Sequence, residues 1–526
     1  MSRGQSFLGG AALLAAAGIL SKVLGAAFRI PLARLIGPEG MGLYGMAYPL
    51  YAMILALSTA GIPVAISKLV AEKLAENKPE QAGAVFRVAS RSLVISGLLF
   101  TVLTVVMARV FVVAGLLRDP RAFWPLIATA PAVLLVALNS ALRGYFQGFQ
   151  DMRPTAVSQV VEQLLRAVTA LGLGYLLLPY GLEFAAAGAA FGAVTGAAAA
   201  GVMLWWYKRT SFSSVLAAIP WPHDWPQVLK RILALAIPVT LSSLVMPIMQ
   251  NLDVLLVPVR LEAAGYTVAE ATSLFGELTQ MAFTLVNLPV IVTGALAVSL
   301  VPAVSAVQAT PNRSQLKKYI GAALRLTVLL ELPAVAGLYL LAEPVMDLLY
   351  DLPAAGPTLA ALSASCLFLG LNQTSAGILQ GLGRTDLPVW SLAAGAVVKV
   401  VLTYILTGIP ALGIKGAAWA TVATFATAAF LNARFIDRLV GLPWDAKEFV
   451  LKPLVATGGM GAIVILSYRL VTPGLGSHLA TLVAIGIGIV SYGLLLFVVR
   501  AVQANDLALL SAFGHKLSRR LDPRRR

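Results

Sequence analysis

The segment GILSKVLGAAFRIPLAR, residues 18–34, places two basic residues in an apolar stretch long enough to enter a membrane. Lys22 and Arg29 are seven residues apart, so they share one face of an uninterrupted α-helix of 3.6 residues per turn. Because a charge in the hydrocarbon costs roughly 2.5–3.5 kcal/mol on insertion scales, we expect this face to line a hydrated cavity that receives an anion. The alternative is that one or both side chains extend to a membrane interface, which is harder for Lys22, near the middle of the helix.

The rest of the chain has the composition of a polytopic membrane protein. Of its 526 residues 59% are hydrophobic and only 12% are charged, and the mean hydropathy is +0.85, far outside the range of soluble domains. A spanning helix needs about 20 apolar residues, and long runs without acidic or basic residues recur, at 40–67, 122–142, 184–207, 278–312, 352–383 and 470–499. We predict an all-α fold with about fourteen transmembrane helices.

The net charge of +16 could suggest nucleic acid as a partner, but the basic residues lie between the predicted spans. Most of them, including Lys73, Arg143 and Arg384, fall in loops on one side, and few, such as Arg118 and Arg260, fall on the other. The positive-inside rule therefore predicts a cytoplasmic-membrane protein with both termini in the cytoplasm and an even number of spans, and no nucleic-acid partner.

An internal repeat divides the chain. GYFQGFQDMRP at 144–154 recurs as GILQGLGRTDLP at 377–388, and GAAFGAVTGAAAA at 188–200 is echoed by GAAWATVATFATA at 416–428. We predict two parallel six-helix lobes, with the substrate path between them. The predicted boundaries are 1–210 for the N-lobe, 211–230 for a cytoplasmic linker, 231–440 for the C-lobe, 441–502 for two further spans and 503–526 for a basic tail. Residues 71–89 are predicted to form a helix hairpin on the cytoplasmic surface.

Two further groups of polar residues lie within predicted spans. Glu162 and Arg166 are four residues apart, which favours a self-neutralising pair on one helix; alternatively, Arg166 faces the substrate and Glu162 tunes it. Asp253, which follows Asn251 in the seventh span, and Lys399 in the eleventh are each costly alone in a bilayer. We predict that these two form an ion pair.

No signature of enzyme chemistry is found. The sequence has no Walker-type phosphate loop, no Cys/His metal spacing and no Gly-x-Ser-x-Gly elbow. We therefore expect no catalytic residues, no metal and no cofactor. The single cysteine, Cys366, lies in an apolar run and is interpreted as a small core residue.

Three blocks carry a family resemblance: ILSKVLGAAFRIPLARLIGPEGMGLYGMAYPLY near the amino terminus, FGELTQMAFTLVNLPVIVTGALAVSLVPAVS at 275–305, and the two QG…P repeats. They resemble the stage V sporulation protein B group of polysaccharide-type exporters. That group is similar to the lipid II flippase MurJ, within the multidrug/oligosaccharidyl-lipid/polysaccharide (MOP) exporter superfamily. The resemblance covers nearly the whole chain and implies a MATE-like fold.

The resemblance also implies roles for the polar residues. In this family, first-helix cations face a lipid-linked pyrophosphate, a role that falls here on Lys22 and Arg29. We expect a groove near the thirteenth and fourteenth spans to carry the lipid tail. An acidic residue of the seventh helix helps to hold sodium in the family, but this chain has Lys399 in the matching region, so a fixed ammonium group can replace the ion. The chain also lacks the arginines that relatives carry in the second and eighth spans.

These observations predict a flippase that moves a polyprenyl-pyrophosphate-linked cell-wall or polysaccharide precursor by alternating access. Lys22, Arg29, Glu162 and Arg166 would line the central cavity, and Asp253, Lys399 and Asn251 would bias the conformational equilibrium. The expected partners are the lipid-linked sugar, membrane lipids and cell-wall synthesis enzymes, and the expected state is a monomer. The alternatives are a multidrug or cation antiporter of the same superfamily, a membrane enzyme acting on lipid-linked sugars, and a scaffold for wall synthesis.

Overall fold

A computed structural model describes residues 3–59, 61–211, 221–308, 313–442 and 445–501. Within these ranges the chain is helical and contains no strand. The α-helices in chain order are α1 Arg3–Ala27, α2 Arg29–Thr59, α3 Ile62–Ala75, α4 Pro79–Val113, α5 Phe123–Gly148, α6 Arg153–Leu177, α7 Leu182–Ser211, α8 Trp225–Ser243, α9 Val245–Ala263, α10 Val268–Gly276, α11 Phe283–Gln308, α12 Arg313–Leu340, α13 Ala342–Tyr350, α14 Gly356–Ser363, α15 Ser365–Gly381, α16 Asp386–Thr407, α17 Ile414–Val440 and α18 Lys452–Val498. Short 3₁₀ helices occupy Pro120–Ala122, Leu178–Tyr180 and Pro353–Ala355, and π-helical turns occupy Glu277–Ala282 and Lys447–Leu451.

Fourteen membrane spans emerge from these helices, as predicted. In the described part of the chain 11 helical stretches are long and apolar enough to cross a bilayer, and there are 12 when the bent pair Trp225–Leu241 and Val245–Ala263 counts as one. The stretches Ala12–Ala75 and Lys447–Val498, of 64 and 52 residues, are far longer than the ~20 residues one crossing needs. Each is broken at a glycine of positive φ, Gly37 or Gly476, and dividing them there gives fourteen.

The chain forms two compact units, Met1–Met281 and Ala282–Arg526. The core of the first unit joins residues of α3, α4, α5 and α7, among them Ile66, Leu93, Tyr145 and Leu204, and also includes Ile232 and Ala236 of α8. The core of the second unit joins residues of α11, α12, α15 and α17, among them Leu300, Ile320, Ile378 and Ile436. Apart from α8, these are the second, third, fourth and sixth spans of one repeat and their counterparts in the other. The predicted lobe boundaries stay a prediction.

The repeated QG motif performs the same packing role in each unit. In the first unit, a Cβ atom added to Gly144 would lie 2.7 Å from the Pro63 carbonyl oxygen, and one added to Gly148 would lie 2.6 Å from Val70 Cβ. These two positions have room only for hydrogen, so α5 approaches α3 closely, as small residues allow between membrane helices.

The second copy repeats this contact within its own unit. A Cβ atom on Gly377 would lie 2.5 Å from the Ala297 carbonyl oxygen, and one on Gly381 would lie 2.8 Å from Val304 Cβ. The fourth and tenth spans therefore contact the second and eighth in the same way, and the sequence repeat corresponds to a structural repeat.

The helix hairpin predicted at 71–89 is present, with its turn between Ala75 and Pro79, but the prediction that it lies on the surface was wrong. α3 and α4 continue through it as the ends of two spans, and Ala82, Val85 and Phe86 belong to the core of the first unit because they form an apolar face. Residues 212–220 of the predicted linker and the whole predicted basic tail, 503–526, lie outside the described residues.

Candidate functional site

The two predicted first-span cations lie on either side of Phe28, where α1 meets α2. α1 ends at Ala27 and α2 begins at Arg29, but helical hydrogen bonds continue through Phe28, whose N–H donates to the Leu24 carbonyl oxygen at 3.1 Å and whose carbonyl oxygen accepts from the Leu32 N–H at 3.2 Å. The prediction that Lys22 and Arg29 share one face stays a prediction. Lys22 is exposed, and its side chain makes no ion pair within the described ranges, whereas Arg29 is half-buried. The two cations therefore differ in their surroundings.

Arg29 and Arg166 lie against the same aromatic ring. The guanidinium carbon of Arg29 is 5.9 Å from the centre of the Tyr48 ring, and that of Arg166 is 5.2 Å from it. Each distance is within the range of a cation–π interaction. The structure thus brings together a residue of the first span and one of the fifth, both predicted as site residues, through a residue of the second span.

Tyr48 belongs to a row of tyrosines on α2 that the sequence analysis did not single out. Its ring is stacked on Tyr44 with the centres 6.1 Å apart, and it lies 5.9 Å from the ring of Tyr51. Tyr44 and Tyr51 are buried, so they hold Tyr48 in place. The spacing of these residues, 44, 48 and 51, puts them on one face of a helix, and this pattern is the signal by which they could have been found.

Glu162 forms its ion pair with a residue of another helix. Arg143 Nη2 donates to Glu162 Oε2 at 2.7 Å, and Arg143 Nε donates to Ser158 Oγ at 3.0 Å. Arg143 was grouped with the basic residues of the inner loops, but it lies in the last turns of α5 with only 14% of its side chain exposed. In the described part of the chain, Glu162 is thus neutralised across helices by Arg143, and Arg166 faces Tyr48.

Two glycines of the GAVTG sequence place α6 at the correct distance for this arrangement. A Cβ atom on Gly192 would lie 2.6 Å from the Arg166 carbonyl oxygen, and one on Gly196 would lie 2.4 Å from the Glu162 carbonyl oxygen. α7 therefore touches the backbone of α6 at the two residues of interest. Close approach through small residues is a common way to pack membrane helices. Here it fixes the distance of α7 from α6 at Glu162 and Arg166.

Asn251 joins α9 to α2 beside the tyrosine row. Its Nδ2 donates to the Pro49 carbonyl oxygen at 2.8 Å and to the Pro247 carbonyl oxygen at 2.8 Å. Asp253 is half-buried two residues later in the first unit, and Lys399 is buried in α16 of the second unit. Their predicted ion pair stays a prediction.

The second unit contains an apolar cavity of about 390 Å³. α12, α15, α17 and the start of the thirteenth span line it with side chains such as Leu332, Phe368, Phe430 and Leu454. Ser375 is the one polar side chain of the lining, so the cavity suits a hydrocarbon chain.

Comparisons with known proteins agree with this fold. The family model "Polysaccharide biosynthesis protein" matches residues 7–308, and the model "MatE" matches residues 277–405. Stage V sporulation protein B of Bacillus subtilis (strain 168) is 32% identical over 524 residues, which cover 98% of this chain and 99% of the relative. Lipid II flippase MurJ of the same organism is 27% identical over 467 residues, 85% of each protein. A solved structure of a lipid II flippase MurJ in an inward closed conformation shares the fold with a TM-score of 0.67 at 17% identity, covering 96% of this chain and 99% of that one.

Proposed function

Since the chain belongs to the polysaccharide biosynthesis protein family, within the MOP exporter superfamily, we propose that it moves a polyprenyl-pyrophosphate-linked cell-wall or polysaccharide precursor, similar to lipid II, across the cytoplasmic membrane. The chain is a multi-pass membrane protein whose relatives are flippases and transporters, and it is itself a flippase-type transporter and not an enzyme. We further propose that both termini are cytoplasmic and that the protein acts as a monomer beside the enzymes of wall synthesis.

The observation that carries the proposed cargo is the placement of Arg29 and Arg166 on one tyrosine ring. Two guanidinium groups near one ring repel each other, and this repulsion is stronger at low dielectric than in water. A pyrophosphate carries at least two negative charges, so it relieves the repulsion. Its oxygens can also accept paired hydrogen bonds from the planar guanidinium groups of Arg29 and Arg166. The Glu162–Arg143 pair supports this proposal, because it leaves the charge of Arg166 available for a ligand.

The apolar cavity in the second unit supports a lipid-linked cargo. We assign it to part of the polyprenyl chain, since its walls offer almost no polar group. Apolar contact along these walls would stabilise the bound tail.

Membrane potential can supply the driving force. Outward transfer of two negative charges across an inside-negative membrane releases about 4–5 kcal/mol per 100 mV. Nucleotide hydrolysis by the chain is therefore not required for transport.

A multidrug or cation antiporter is the second candidate function, favoured by the match of residues 277–405 to the MatE model. A cationic drug would be repelled by Arg29 and Arg166, and Glu162, the acidic group near the tyrosine row, is already paired with Arg143. Binding of a cationic dye in competition with a polyprenyl pyrophosphate separates the two candidates.

The direct test is binding of a polyprenyl pyrophosphate to the purified protein in lipid nanodiscs. Arg29→Ala and Arg166→Ala should each weaken binding at least about tenfold, the loss of one charge-assisted hydrogen-bonding group. Arg34→Ala, on the same helix as Arg29 but exposed, is the control and should bind normally. Normal binding by both site variants would contradict the proposed headgroup site.

Depletion of the protein in living cells identifies the sugar. The lipid-linked intermediate that is the cargo should accumulate in the inner leaflet, and extraction with mass spectrometry would name it. If no lipid-linked sugar accumulates, the protein does not transport this class of cargo.

A further inference from the structure

Glu331 of α12 is a carboxyl group enclosed in the core of the second unit. Its exposed fraction is 0%, and a Cβ atom on Gly370 of α15 would lie only 2.7 Å from Glu331 Cγ. Thr293 Oγ1 of α11 is 2.7 Å from Oε1, and Cys366 Sγ of α15 is 2.9 Å from Oε2. Glu331 was not among the site residues predicted from the sequence, and it is not part of the proposed cargo site.

No cation compensates this carboxyl in the described part of the chain, where Glu331 takes part in no ion pair. α11 and α15, whose side chains contact it, contain no acidic or basic residue at all. An isolated carboxylate is very costly in such a medium, and the group avoids the cost by binding a proton.

The other titratable and charged groups of the surrounding elements make no hydrogen bond or ion pair with Glu331. Cys366 is the titratable side chain in contact with it. The others, on α12 itself and on the elements packed against it, are Arg313, Lys317, Lys318, Tyr319, Arg325, Tyr339, Glu343, Asp347, Tyr350, Lys415, Arg434, Asp437, Arg438, Lys447, Glu448, Lys452, Tyr468, Arg469, His478 and Tyr492.

The partners of Glu331 accommodate both of its protonation states. The Thr293 hydroxyl has one proton and two acceptors in reach, Glu331 Oε1 and the Val290 carbonyl oxygen at 3.2 Å. A protonated Glu331 donates to Thr293, which then donates to Val290. An ionised Glu331 instead accepts from Thr293 and from the Cys366 thiol. A hydroxyl and a thiol can each donate or accept, so neither state leaves the carboxyl without a hydrogen bond.

Glu331 also lies where one backbone hydrogen bond of its helix is missing. Pro333, two residues later, has no N–H to donate to the Leu329 carbonyl oxygen, which the Tyr492 hydroxyl satisfies at 2.8 Å from α18. A proline inside a helix is a place where the helix bends. The carboxyl that joins α12 to α11 and α15 is therefore next to the point where α12 can change its angle.

We propose that Glu331 is a proton-binding site that controls the bend of α12 at Pro333. With the proton bound, the neutral carboxyl stays packed between α11 and α15. Loss of the proton creates a charge whose lost hydration the hydrogen bonds from Thr293 and Cys366 do not replace, and α12 bends to bring the carboxylate to water. The inference concerns the second unit alone and holds for any cargo of the transporter.

Infrared difference spectroscopy of the purified protein in nanodiscs tests the protonation. A protonated carboxylic acid gives a carbonyl band that a carboxylate lacks. At neutral pH the spectrum of the wild type minus that of Glu331→Gln should show this band, and Thr293→Val should shift it. Glu343→Gln, an exposed glutamate of the same unit, is the matched control, and the wild type minus this variant should show no such band. A wild-type minus Glu331→Gln spectrum without the band would overturn the proposal.

Spin labels on α12 test the bend. Lys318→Cys and Tyr339→Cys are exposed positions on either side of Pro333, and the native Cys366 is buried and does not take a label. The distance between the labels should change from acidic to alkaline pH in the wild-type background and remain at its acidic-pH value in Glu331→Gln. A wild-type distance that does not change, or an equal change in the variant, would contradict control by Glu331.

Discussion

Arg143 donates a hydrogen bond of 2.7 Å to Glu162 from α5 to α6, and both side chains are more than four-fifths buried. The relationship matters because Arg166 is four residues from Glu162 and would otherwise be its natural partner. With Glu162 neutralised by Arg143, the guanidinium of Arg166 lies over Tyr48 together with that of Arg29. An ion pair outside the proposed headgroup site thus determines the charge inside it.

Breaking this pair should cost stability. Arg143→Met leaves the Glu162 carboxylate buried without its cation, and we expect a loss of roughly 2–4 kcal/mol, somewhat below the 3–5 kcal/mol of a fully buried pair. The measurement is thermal unfolding in detergent, followed by tryptophan fluorescence. The double variant Arg143→Met with Glu162→Leu should regain most of the loss, since no charge remains to be desolvated. Unfolding of Arg143→Met at the wild-type temperature would show that the pair contributes nothing.

Tyr48 should be required for its ring and not for its hydroxyl. Tyr48→Leu removes two cation–π contacts, each worth about 0.5–2 kcal/mol, and should weaken binding of a polyprenyl pyrophosphate by about tenfold or more because Arg29 and Arg166 lose their support. Tyr48→Phe keeps the ring and serves as the control. Equal binding by the two variants would argue against the aromatic support.

Alanine at Gly196 and at Gly172 should have opposite effects on stability. Gly196→Ala places a Cβ atom 2.4 Å from the Glu162 carbonyl oxygen and should lower the unfolding temperature by separating α6 from α7. Gly172 on α6 has no atom within 4 Å of its added Cβ, so Gly172→Ala should leave the temperature unchanged or raise it, since alanine is favoured over glycine in a helix by about 1 kcal/mol. A loss of the same size in both variants would refute close packing as the cause.

The Tyr492 hydroxyl should matter only because Pro333 is present. Tyr492→Phe leaves the buried Leu329 carbonyl oxygen without its donor and should destabilise the protein by about 1–3 kcal/mol. In a Pro333→Ala background the backbone supplies an N–H, and the same change should cost much less. A double-mutant cycle of unfolding free energies measures the difference, and additive effects would show that the two groups are independent.

Much of the fold could be predicted because hydropathy and repetition are local properties of a sequence. The fourteen spans follow from apolar runs of the length of a bilayer, and the paired QG motifs indicated a repeat that Gly144 and Gly377 then display as matching helix contacts. The hairpin at 71–89 was wrongly placed on the surface because polar residues there lie on one face only. The opposite face, with Val85 and Phe86, packs into the core.

The site was predicted less fully. Arg29, Glu162 and Arg166 were chosen because charge is rare inside a span, and the structure places Arg29 and Arg166 on one ring. A search for charged residues could not find Tyr48, which is uncharged. Arg143 was assigned to a loop because it lies near the end of a span.

The sequence by itself determined that the chain is a helical membrane protein built from a repeated unit, since the cost of placing polar groups in lipid depends on composition along a segment. Only the tertiary structure decided which charges are neutralised. Whether Glu162 pairs with Arg166 or with Arg143, and whether Glu331 has a cation beside it, depends on distances between helices that packing of side chains and glycines sets.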